Sequence, residues 1–118
     1  MNRQERDLLA EKVKATRAKL RKAFVALRRQ GYVARMNFWC CQGCGSSAME
    51  LKGKKGGVFW HHQDDDGFKE DGELYIAFLT ENGDGAVKVG EALVAALKAE
   101  NIWVEWDGSS DTRVLVKA

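Results

Sequence analysis

Between Arg3 and about Gln30 the apolar positions fall at Leu9, Val13, Leu20, Phe24 and Leu27, with Thr16 and Ala23 continuing the same stripe. Steps of three and four residues are the period of an α-helix, and nearly all the side chains between them are charged. So long a one-sided helix is stable only when its stripe is covered, so the remaining chain must supply an apolar layer against it. Gly31 stands where the helix has to stop, as a residue that enters the left-handed region at no steric cost.

The rest of the chain reads as strands with one further long helix. Tyr32 to Cys40 has the β-branched, aromatic and apolar character of a strand, and alternation along it would point Cys40 and Cys41 to opposite sides. The cysteines then form a turn, Ser46 to Lys52 a short helix capped by Ser46 or Ser47, and Gly53 to Gly57 a loop. Val58 to His61 is a second strand, broken by the acidic run Asp64-Asp65-Asp66-Gly67, which reads as a solvated loop. Glu73 to Thr80 is apolar on both faces, as expected of the middle of a sheet.

Asp84 is placed to cap a helix running to about Ala99, with Gly90 on its apolar face where a missing Cβ permits close approach, and Asn101 as its stop. Ile102 to Trp106 and Thr112 to Val116 follow as strands joined by Asp107 to Asp111, with Ile102, Val104 and Trp106 on one face and Trp103 and Glu105 on the other. The expected fold is α+β: a twisted, mainly antiparallel sheet of about five strands packed against a long N-terminal helix and a second helix, a two-layer sandwich. A length of 118 residues suits one domain over 1–118, with 1–30 as the basic helix and 31–118 as the α+β body.

Charge is unevenly spread. Residues 1–35 carry a net +8 and residues 36–118 a net −6, although the whole chain is only +2. A basic helix of this kind either contacts phosphates, with Lys14, Arg17, Arg21 and Arg28 as the nucleic-acid candidates, or lies against the acidic part of its own fold. No recognition-helix motif or glycine-rich phosphate loop accompanies the charge, so nucleic acid ranks behind another protein as the partner. No apolar run is long enough for a membrane span and no apolar segment follows the polar N-terminus, which excludes a membrane partner and makes the cytoplasm the expected location.

All three cysteines and both histidines fall in Cys40-Cys41-Gln42-Gly43-Cys44-Gly45 and His61-His62-Gln63-Asp64-Asp65-Asp66. Three cysteines are too few for a disulfide framework. Cys41-x-x-Cys44-Gly45 has the spacing of a zinc knuckle, and a tetrad would be completed by His61 and Asp64, with Cys40 and His62 as alternates. A redox pair, a Cys41–His61 nucleophile pair and plain burial of the thiols are the other readings. These segments stand at the ends of the first two strands. They meet only if those strands run parallel or the polar loop folds over.

Phe38-x-Cys40-Cys41-Gln42-x-Cys44-Gly45, Gly57-Val58-Phe59-x-His61-x-Gln63-Asp64, Gly72-x-Leu74-Tyr75-x-Ala77, Gly90, and Val104-Glu105-Trp106-Asp107-Gly108 before Arg113 together resemble a family of uncharacterised bacterial domains. The resemblance runs from about Gly31 to Val116 and implies one integral domain. It draws attention to Cys40, Cys41, Cys44, His61, Gln63 and Asp64 without naming their chemistry. Where that family carries Thr-Glu after Gln-Asp, this chain has Asp65-Asp66, so no role carries over to those two positions.

With fold signals complete and no catalytic motif complete, the first functional reading is a non-enzymatic binding or protein-interaction module with a candidate structural zinc. Four tryptophans spread over the strands add an exposed aromatic face as a route to a protein partner, a second copy of the chain included. The alternatives are a small thiol or metal-dependent enzyme using Cys41 or Cys44 with His61 and Asp64, and a nucleic-acid-associated protein using the N-terminal helix.

Overall fold

A computed structural model describes residues 1–118. Helix α1 (Arg3–Arg29) opens with Asn2 Oδ1 accepting the Glu5 amide at 2.8 Å, and its last turn carries Arg28 and Arg29, which suit the negative end of the helix dipole. Its buried residues are Val13, Thr16, Leu20, Ala23, Phe24 and Leu27, the inner part of the expected stripe. Gly31 then takes φ +101° and turns the chain into the sheet.

The order that follows is β1 (Val33–Arg35), α2 (Gln42–Ala48), β2 (Gly57–Phe59), α3 (His62–Asp71), β3 (Glu73–Leu79), α4 (Ala86–Ala99), β4 (Trp103–Glu105) and β5 (Val114–Lys117). The strands lie in the order β1-β2-β3-β5-β4, so β3 is the central strand its sequence calls for. β1 and β2 are parallel and every other pair is antiparallel. The fold is α+β with a mostly antiparallel sheet.

Four local expectations are corrected. The first strand is three residues long and stops at Arg35, because Asn37 (φ +51°) and Trp39 (φ +63°) leave the extended region. The short helix begins at Gln42 instead of Ser46, taking in the second half of the cysteine stretch, with Cys41 as its N-cap. The acidic run is no loop: it forms the start of α3, where His61 Nδ1 accepts the Asp64 amide and the Asp64 carboxylate accepts the His61 amide, a reciprocal cap. Acidic side chains favour a helix's first turn, and Gly72 (φ +78°) closes the other end. Finally, α4 is preceded by Gly85 in the left-handed region, with no side-chain cap from Asp84.

Helices α1 and α4 cover one face of the sheet. The main core joins Leu20, Phe24 and Leu27 of α1 and Val89, Leu93 and Leu97 of α4 to Val58, Leu74, Ile76, Val114 and Val116 of the strands, with Phe68 of α3 and Trp60 completing it. Gly90 packs as expected: a Cβ there would come within 2.8 Å of the Trp106 ring and 3.2 Å of Phe78. The opposite face is covered only near β1 and β2, where Met49 and Leu51 after α2 bury Phe59 and Ala77. Over β3, β5 and β4 the same face is open, and Tyr75 and Trp103 are 40% and 49% exposed. No helix is long and apolar enough to cross a membrane.

Candidate functional site

The three cysteines follow the left-handed pair Asn37 and Trp39. A tryptophan at φ +63° is costly for a side chain with a Cβ, and such conformations persist where the surroundings over-determine them. Here the chain is pinned on both sides of the turn: the Phe38 amide donates to Trp60 O at 2.8 Å, and Trp39 O accepts the His62 amide at 2.9 Å. The turn reverses the direction that strand alternation would have given Cys40. Its sulfur lies 3.8 Å from that of Cys41 instead of pointing away.

Cys41 as N-cap and Cys44 one turn into α2 fall on the same side of the helix start. The Sγ atoms of Cys40, Cys41 and Cys44 all lie within 4.8 Å of one another. Gly45, immediately after, sits against the Phe59 ring so closely that any Cβ there would overlap it, and this fixes α2 onto the sheet. All three thiols are free; Cys40 and Cys44 are exposed and Cys41 half-buried.

Proximity splits their acidities. The Cys44 backbone amide, then the Cys44 and Cys40 thiols, hydrogen-bond the Cys41 sulfur and hold its pKa below the usual thiol range. Cys44 is pushed the other way, to about 11, by its hydrogen bonds to Cys41 and Cys40 and then by their charges. Between Cys41 and Cys44, negative charge therefore resides first on Cys41.

The topological condition on the two segments is met: β1 and β2 run parallel, and both segments leave the sheet at the same edge. His62 bonds to the residues just before the cysteines, its amide donating to Trp39 O and its Nδ1 bonding Asn37 Oδ1. His61 turns inward. It is 7% exposed, its Nδ1 accepts the Asp64 amide at 3.2 Å and its Nε2 faces Asp64 Oδ2 at 3.0 Å. Burial lowers its pKa against the opposing pull of Asp64, and a neutral ring with its proton on Nε2 satisfies both contacts. Asp64 is held in turn by Arg113 Nη1, 2.8 and 2.9 Å from its two oxygens. Of the expected ligands, then, the fold gathers Cys41 and Cys44 with the alternate Cys40, while His61 and Asp64 cap α3.

Asp65 is 2% exposed, contrary to a solvated turn. It accepts Arg17 Nη1 at 2.6 Å and Trp60 Nε1 at 3.1 Å, with Lys69 Nζ at 3.5 Å. Burial raises its pKa, but these partners together outweigh it and bring it below the carboxylate norm. Two nucleic-acid candidates are thereby committed within the fold, Arg17 to Asp65 and Arg28 through Nε to Ala34 O at 2.9 Å. Lys14 and Arg21 remain exposed on α1. The pairing of Arg17 and Arg113 with consecutive aspartates 48 and 49 residues away has no local signature in the sequence.

Residues 7–118 match the model of a family described as Domain of unknown function (DUF6891). The chain belongs to this family. No curated protein and no solved structure matches it. The resemblance to a family of uncharacterised domains is thus borne out, over nearly the whole chain.

Proposed function

We propose that this domain is a non-enzymatic binding module whose chemistry is soft-metal coordination, with Cys40, Cys41 and Cys44 supplying three thiolates to one zinc ion. The observation that carries this reading is the convergence of three sulfurs within 4.8 Å. Tetrahedral coordination with Zn–S bonds of about 2.3 Å places neighbouring sulfurs about 3.8 Å apart. The Cys40–Cys41 separation is 3.8 Å. Three thiolates leave one position for solvent or for a donor side chain of a bound protein, and the exposure of Cys40 and Cys44 gives a partner access to it.

Zinc here would tie the end of β1 to the start of α2 and hold the strained turn in place. The test is metal analysis of protein purified without a metal-affinity step, then refilled after chelation. Wild type retains about one zinc per chain; C40S, C41S and C44S each weaken binding, while H61N and D64N leave the stoichiometry unchanged. Full occupancy in the triple serine variant would falsify the assignment.

Thiol–disulfide exchange is the second reading, favoured by the split between Cys41 and Cys44, which suits an attacking and a resolving thiol. Alkylation rates discriminate: an exchange enzyme has one thiol, Cys41, that reacts fast at neutral pH and is lost in C41S. His61 is a poor base for such a thiol, since both its ring nitrogens are engaged in the cap of α3.

A further inference from the structure

A cleft of about 580 Å³ runs beside the free edge of β1, and none of the three cysteines lines it. Its volume falls within the range of about 300–1,000 Å³ typical of small-ligand sites. Arg28 comes to it from α1, Arg35 from the edge strand and Lys54 from the loop after α2, while Tyr32, Phe38 and Trp39 supply aromatic walls. None of the three cations forms an ion pair with a carboxylate of the protein. Glu50 is the one acidic residue of the lining, so the cleft carries a net excess of two positive charges.

Trp39 is the second observation. It is 51% exposed at the wall of the cleft, and its left-handed backbone holds it there against the ordinary preference of a large side chain. Convergent unpaired cations beside a presented aromatic ring form a recognition surface for an anion that also has a flat face.

We propose that this cleft binds a small organic anion carrying a planar ring, the chemistry shared by nucleoside monophosphates and aromatic carboxylates. The edge of β1 argues against an extended peptide. In the parallel pairing of Val33 and Arg35 with β2, the polar backbone groups of Ala34 face the free side. The Ala34 carbonyl there accepts Arg28 Nε at 2.9 Å, so the acceptor that an added strand would use is taken. The same bond fixes the Arg28 guanidinium in the wall, leaving a compact ligand as the occupant.

Calorimetric titration of the full chain, with a reductant and a chelator present, keeps the result independent of the thiol cluster. The probes are adenosine monophosphate against adenosine and inorganic phosphate, and benzoate against cyclohexanecarboxylate. Either the nucleotide or benzoate saturates the protein, and loss of the anion or of the ring weakens binding by about tenfold or more. Whichever series binds identifies the anion as phosphate or carboxylate.

The variant R35A/K54A changes two exposed side chains, keeps the wild-type circular dichroism and loses about tenfold in affinity. W39A weakens benzoate or nucleotide binding while leaving any response to inorganic phosphate unchanged. No saturation by either probe at millimolar concentration overturns the proposal, as does undiminished binding by R35A/K54A. Binding of an acidic peptide with both small-molecule series silent overturns it equally.

Discussion

Arg17 Nη1 lies 2.6 Å from Asp65 Oδ1, and this ion pair joins the basic helix α1 to the acidic start of α3. The Asp65 side chain is 3% exposed and that of Arg17 20%, so the contact is largely removed from water. Together with Trp60 Nε1 on the same oxygen, it anchors α3 to the main core, and the Arg17 guanidinium also covers the Phe68 ring at 5.2 Å. Part of the charge asymmetry between the two ends of the chain is thus resolved inside the molecule.

Breaking this pair from either side is destabilising, because the remaining charge stays desolvated. Asp65→Asn keeps the shape but leaves Arg17 without its counter-charge; a loss of about 1–3 kcal/mol is expected. Arg17→Met keeps the cover over Phe68 and loses a similar amount, about 1–3 kcal/mol. The double variant loses less than the two singles added together, since neither charge is then stranded. Urea denaturation measures all three, and strict additivity would show that the pair does not couple.

Acid weakens the fold in two stages. His61 has a folded pKa below the usual 6.5, so as pH falls through that value the unfolded chain binds a proton that the native ring does not, and stability declines. Asp65 has a folded pKa below 3.8; its contribution is fully present above that value and is lost as pH falls through the folded pKa. Melting temperatures are expected to be level between about pH 7 and 8 and to fall below about 6.5, then more steeply below about 4. His61→Asn, which can still cap α3, removes the first decline and retains the second. An unchanged profile in that variant would assign the first decline to another group.

Legibility in the sequence divided along the range of the interactions. The stripe of α1, the central place of β3 and the close packing at Gly90 are local patterns whose meaning depends little on what lies across from them. The geometry of the cysteine segment is not legible locally, because contacts with the residues just after β2 set it. The Phe38 amide donates to Trp60 O and the His62 amide to Trp39 O, and without those contacts nothing in Met36 to Cys41 requires two left-handed residues. Asp64 and Asp65 look solvated in the sequence for the same reason: their partners, Arg113 and Arg17, come from opposite ends of the chain. The signal available locally was the spacing of His61 to Asp64 with Gly72 beyond, a helix start and stop overshadowed by three consecutive acids.

Trp39 gives a prediction that opposes stability to binding. A non-glycine residue in the left-handed region costs roughly 1–2 kcal/mol, and asparagine tolerates it better than tryptophan. Because Trp39 is half exposed, replacing it forfeits little burial beyond its edge contact with Phe38, at 6.4 Å between ring centres. Trp39→Asn is therefore expected to unfold at the same denaturant concentration as wild type or a higher one. A loss of more than about 1 kcal/mol would mean that the indole is held for packing.

Two glycines of α2 separate helix propensity from fit. A Cβ on Gly43 meets nothing within 4 Å, so Gly43→Ala gains up to about 0.5–1 kcal/mol from reduced chain entropy. A Cβ on Gly45 runs into the ring of Phe59, which is fully buried and cannot swing out of the way. Gly45→Ala must lift α2 from the sheet, at a cost of about 1–3 kcal/mol. Cys44 is carried with the helix while Cys40 stays on the turn bonded to Trp60 and His62, so the sulfurs separate and zinc affinity falls in Gly45→Ala but holds in Gly43→Ala. Thermal unfolding with and without zinc reads both effects in one experiment: equal zinc-induced shifts in the two variants would show that the seat of α2 on Phe59 does not set the thiol cluster.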